Sequence, residues 1–139
     1  MRTNRREYVE MKIILDTSAY VAFKYNHKEV VELITGSELI LFSPVVLGEL
    51  LFGFKNGSKF FKNQRELNYF LQNEAVEVVP VGNTTSDRYS RIAIDLKKQG
   101  TPIPTNDIWI AAQAFEHGAE LITSDRHFEN IPSLVYTLF

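Results

Sequence analysis

The chain contains no cysteine. That excludes a disulfide framework, a thiol nucleophile and a thiolate metal site, and it fits a reducing compartment. Histidine is scarce, and the spacing of His27, His117 and His127 suits no metal pair. Charge of one sign is also lacking: Lys and Arg number 15 against 17 Asp and Glu, a formal −2. Such a balance argues against coating nucleic acid by bulk charge and leaves room for a local basic patch only. The longest apolar stretch, Leu39 to Phe54, is broken by Ser43, Pro44, Gly48, Glu49 and Gly53. It falls short of the roughly 18–20 residues a membrane span needs. Residues 1–10 are polar and have no apolar signal core. They are set aside as an N-terminal extension, with Met11 an alternative start, and residues 11–139 are taken as one domain. No glycine-rich phosphate loop, internal repeat or linker is present. The expectation is a soluble, cytoplasmic protein.

What is present is enough apolar and aromatic content, 45% and 12%, to build a core covered on both sides. Lys12-Ile13-Ile14-Leu15 reads as a short strand buried on both faces, because its apolar run is continuous rather than alternating. Leu39 to Phe42, Val76 to Val81 and Glu120 to Thr123 are further strand candidates, and Leu134 to Leu138 is a candidate edge strand. Between them lie helical stretches from Ala19 to Lys24, Lys28 to Thr35, Pro44 towards Gly53, Ser58 to Glu74, Thr84 or Thr85 to Gly100, and Thr105 to Gly118. Ser43-Pro44 is a helix start, with Ser at the cap and Pro where its missing donor costs nothing. Strands alternating with helices predict an α/β fold with a parallel sheet and right-handed crossovers.

Four carboxylates occupy unusual places. Asp16 and Asp125 end apolar strands, Glu49 interrupts an apolar helix, and Asp107 sits in a helix's first turn. Each has an ordinary explanation as a cap, a dipole partner or a solvated side chain. The fold, however, brings the tips of adjacent parallel strands together, where ligands bind. Unpaired carboxylates there repel one another, and a divalent cation relieves them. Oxygen ligands point to Mg²⁺ or Mn²⁺ rather than Zn²⁺. Such a centre activates water against a phosphodiester or phosphomonoester. His117 fits a helix end, while His127, two residues after Asp125, is a lesser candidate for substrate contact. Lys55, Lys59, Lys62 and Arg65 recur on one predicted helical side among Phe54, Phe60 and Phe61. A solvated outer face is the usual explanation of such a row, and a track for an RNA backbone is the sharper one.

The residues Leu15-Asp16-Thr17-Ser18, Ser43 to Leu50, Thr105 to Ala112 and Thr123 to Phe128 together resemble the PIN-domain nucleases, in particular the VapC-like toxins of toxin–antitoxin pairs. The resemblance spans Met11 to Phe139 in order. It implies a three-layer α/β/α sandwich around a mostly parallel sheet of four or five strands. It implies an Mg²⁺- or Mn²⁺-dependent endoribonuclease with Asp16, Glu49, Asp107 and Asp125 as catalytic and metal-holding acids. Ser18, Thr105 and Ser124 match polar positions lining the pocket. Also implied are an RNA substrate such as tRNA or ribosomal RNA, products with 5′-phosphate and 3′-hydroxyl ends, a cognate antitoxin and a homodimer. A haloacid-dehalogenase-type phosphatase would need a second Asp where Ser18 stands, and a receiver domain would need an acceptor Asp near Val81-Gly82-Asn83. The remaining alternatives are a non-catalytic PIN module that binds RNA or a partner, and an RNA-processing nuclease outside such a pair.

Overall fold

A computed structural model of the chain describes residues 11–139; the extension assigned to residues 1–10 lies outside the described residues. Five strands carry the fold: β1 (Lys12–Leu15), β2 (Leu39–Phe42), β3 (Val76–Val78), β4 (Glu120–Thr123) and β5 (Tyr136–Leu138). The helices are α1 (Thr17–Lys24), α2 (Lys28–Thr35), α3 (Pro44–Lys55), α4 (Phe60–Leu71), α5 (Asn83–Gln99) and α6 (Thr105–His117). A single turn of 3-10 helix spans Arg126–Asn130. The sheet order is β3-β2-β1-β4-β5, and every pairing is parallel. The chain therefore builds outward from β1 to β3, then returns to the opposite side of β1 with β4. That reversal opens a crevice between the carboxyl ends of β1 and β4.

Three successive buried residues in each of β1, β2 and β4 require cover on both faces. Ile14, Leu15, Phe42, Leu121, Ile122 and Phe128 form the centre of that core. Tyr20, Phe42 and Phe70 meet edge to face, with ring centroids 5.3–5.9 Å apart, and join α1 and α4 to β2.

Several boundaries differ from those the sequence predicts. Helix α1 starts at Thr17, two residues before the expected Ala19, because the Asp16 side chain supplies the capping oxygen. Helix α3 runs through Gly53 to Lys55, and α4 starts two residues after Ser58 and stops at Leu71. Pairing of β3 ends at Val78, although Val79 stays buried and donates its N–H to Phe42 O at 3.0 Å. The basic row does not share one helical side: Lys55 closes α3, Lys59 precedes α4, and Lys62 and Arg65 lie within α4.

The start of α3 follows its sequence signature. Ser43 is fully buried, and its Oγ accepts the Val45 N–H at 3.0 Å. Ser43→Ala leaves that donor unpaired and should cost about 1 kcal/mol of stability. Urea unfolding checks this, and an unchanged midpoint would remove the cap from the account of why α3 begins there.

Candidate functional site

The crevice at the β1 and β4 tips holds most of the acids singled out in the sequence. Asp16 follows β1 and is only 5% exposed. Its Oδ1 accepts from Ser18 Oγ at 2.6 Å and from the Ala19 N–H at 2.9 Å, while its Oδ2 accepts from the buried Thr123 hydroxyl. Asp16 is thus both a helix cap and part of the crevice. Thr123 Oγ1 in turn accepts the Asp125 N–H at 2.9 Å, and Ser18 Oγ accepts the Ser124 N–H at 3.1 Å. Two hydroxyls therefore stitch the strand tips together and fix where Asp125 stands.

Asp125 caps the 3-10 turn by accepting the His127 N–H at 2.9 Å. The turn folds the His127 ring back across the crevice. Its Nδ1 lies 3.0 Å from Asp125 Oδ1 and 3.3 Å from Oδ2 of Asp107. Asp107 occupies the first turn of α6, whose cap position is Pro104, a residue with no side-chain acceptor. One ligand atom from each of Asp107, Asp125 and His127 lies within 4.8 Å of the other two.

Glu49 is held beside this cluster rather than in it. Its Oε1 accepts from the Thr17 hydroxyl, and its Oε2 accepts from Asn106 Nδ2 at 3.0 Å. The partners are the residues immediately after Asp16 and immediately before Asp107, so Glu49 is tied to both neighbouring elements. Thr105 sits exposed at the start of α6 and makes no side-chain hydrogen bond among the described residues.

The electrostatics match a site short of positive charge. Burial raises the Asp16 pKa, with Asp125 adding to the shift, against hydrogen bonds from Ser18, Thr123 and Ala19. Burial, followed by the Asp125 charge, pushes Asp107 up to about 6, while His127 opposes the change. Acids displaced in this direction by burial and mutual repulsion gain from a cation among them. The donors present, carboxylate oxygens with one imidazole nitrogen, fit a divalent metal ion.

Four contributors went unassigned or underweighted in the sequence. Thr17, Asn106 and Thr123 orient the acids, and His127 completes the close cluster. Thr123 carried a readable signal, a hydroxyl ending an apolar strand directly before Ser124-Asp125. Asn106 and Thr17 adjoin Asp107 and Asp16, but nothing local shows that both reach Glu49.

The model of the PIN-domain family matches residues 13–134. Ribonuclease VapC2 of Rickettsia felis is 29% identical over 130 residues, covering 90% of this chain and 96% of the relative. Ribonuclease VapC1 of the same organism is 32% identical over 128 residues, covering 89% and 93%. The solved structure of VapBC2 from Rickettsia felis, bound to a DNA fragment from their promoter, superposes with a TM-score of 0.80 at 28% identity. The superposition covers 92% of this chain and 98% of that one. VapBC-1 from nontypeable Haemophilus influenzae gives 0.79 at 27% identity, with the same coverage of 92% and 98%.

Proposed function

This chain belongs to the PIN-domain family, and from that premise we propose that it is a divalent-metal-dependent endoribonuclease, the toxin half of a toxin–antitoxin pair. The observation that carries the reading is the convergence of Asp107, Asp125 and His127 beside buried Asp16, where the sheet order reverses. Asp107 and Asp125 hold the ion, with His127 Nδ1 as a third donor and Asp16 and Glu49 supporting it. The ion is Mg²⁺ or Mn²⁺, because carboxylate donors dominate. When bound, it lowers the pKa of a water and stabilises charge growing on the scissile phosphate. Thr123 and Ser18 keep the acids in register, and the pair Thr17 and Asn106 aims Glu49. The products carry 5′-phosphate and 3′-hydroxyl ends.

The substrate class is structured RNA, such as tRNA or ribosomal RNA, in the cytoplasm. No helix among the described residues is long and apolar enough to cross a membrane. The protein acts as a homodimer and is held inactive by an antitoxin. A basic side chain of that antitoxin entering the acidic crevice would compete with the metal by charge alone.

The test is cleavage of total RNA by antitoxin-free protein, with Mg²⁺ or Mn²⁺ and then with EDTA. Discrete products should require the metal, and the metal concentration needed should rise as pH falls through about 6, where Asp107 of the metal-free site takes up a proton that competes with the ion. Folded protein that leaves every RNA intact in both ions would favour the non-catalytic PIN module instead.

A further inference from the structure

Between Glu49 and Glu66 the sequence carries four basic residues and no acid, in a chain of formal charge −2. This segment is the elbow formed by the end of α3, the turn after it and the start of α4. Lys62 is neutralised within it, pairing with Glu66 at 3.1 Å. Lys55, Lys59 and Arg65 have no carboxylate within ion-pair distance among the described residues. Two aromatic side chains stand out of the same elbow, Phe52 at 72% and Phe61 at 73% exposure. The Lys55 ammonium lies 6.0 Å from the Phe60 ring centroid, and Phe60 meets Phe61 edge to face at 5.3 Å. Phe61 is thus backed by a neighbour and presents its outer face to solvent.

We propose that this elbow binds a single-stranded stretch of the RNA substrate, with Phe52 and Phe61 stacking bases and Lys55, Lys59 and Arg65 contacting the backbone. The proposal rests on the nuclease reading and adds where the substrate runs. Phe52 follows Glu49 by three residues, which places it one step along the same helix surface, about 4.5 Å of rise from Glu49. A strand leaving the acidic centre meets an exposed ring first, then cations. An apolar face alone would serve a protein partner equally well. Exposed rings interleaved with uncompensated cations fit a flexible polyanion whose bases are free to stack. A base-paired substrate would hide those bases.

The experiment measures binding of a fluorescein-labelled oligouridylate to the full chain, with Asp16→Asn added so that the RNA stays intact. Phe52→Leu and Phe61→Leu should each weaken binding about tenfold, the usual scale for losing one stacked base. The combined Lys55→Gln, Lys59→Gln and Arg65→Gln variant should lower the slope of log Kd against log salt by about 2, as expected for three single-strand phosphate contacts. All these side chains are at the surface, and thermal melts confirm that each variant is folded. Affinities within about twofold of the parent and an unchanged slope overturn the proposal, and RNA cleavage by the native chain would leave the nuclease reading standing. Conversely, native protein that cuts no RNA while the elbow variants lose oligouridylate would sink the nuclease reading and keep the surface. Variants that change the mass by light scattering but leave RNA affinity alone mark a face between two copies, which also overturns it.

Discussion

Changing Asp107 to Asn should lower cleavage about a thousandfold and, in chelator above pH 6, make the same molecule more stable. The activity loss follows from removing a charged oxygen beside Asp125 and His127, since several kcal/mol of transition-state charge stabilisation go with the ion held there. The stability gain follows from the raised pKa. An unfolded Asp titrates near 3.8, whereas burial and the Asp125 charge hold folded Asp107 at about 6. Between those values the folded chain binds more protons, so stability falls as pH rises, and above about 6 the full cost is present. At about 1.4 kcal/mol per tenfold change in proton affinity the ceiling is near 3 kcal/mol. Partial solvent access screens this to about 1–2 kcal/mol. Asn is spared that cost. Urea unfolding in EDTA at pH 5 and 7.5, beside a cleavage assay, checks both halves. A variant less stable than the parent at pH 7.5 would show that Asp107 is not strained by its neighbours.

Asp16 should separate the same two properties in another way. Asp16→Asn and Asp16→Ala should both lose cleavage on the scale expected for Asp107→Asn, since each removes the buried charge at the β1 tip. They differ in what remains for α1. Asn keeps an oxygen for the Ala19 N–H, now accepted by Asp16 Oδ1 at 2.9 Å, and Asn caps helices as well as Asp does. Ala leaves that donor without an acceptor, so it should fall below Asn by about 1 kcal/mol. Thr123→Val is the graded companion. It keeps the charge but removes its hydroxyl partner, and a loss of about 10–100-fold is expected, with Thr123→Ser close to native. Native-rate cleavage by Asp16→Asn would remove Asp16 from the chemistry.

The sheet was legible because β1, β2 and β4 are uninterrupted apolar runs, a pattern that only strands covered on both faces need to show. Asp16 and Asp125 stood out for the same reason, as the first carboxylates after such runs. β3 and α4 were harder to bound. Val79 to Val81 continue the apolar character of β3 after its pairing has stopped, and Ser58 resembles a cap although α4 begins beyond it. Glu49 was visible as an acid in an apolar helix, but its hydrogen bonds reach residues 32 and 57 positions away, and no local pattern encodes such distances. His127 was underweighted because its worth depends on the 3-10 turn capped by Asp125, which turns the ring towards Asp107. The basic row was read on one continuous helix, and only the break between α3 and α4 shows it as an elbow.

The parallel order of the sheet also sets when the crevice can exist. The hydrogen bond that ties Asp16 to Thr123 joins residues 107 positions apart, and β1 stays unpaired on one side until β4 arrives. Chains are made from the amino end, and contacts this distant form late. A partly synthesised chain therefore presents Asp16 and Glu49 on an incomplete sheet, without Asp107, Asp125 or His127. The acidic centre is therefore complete only once β4 and the turn after it have joined β1.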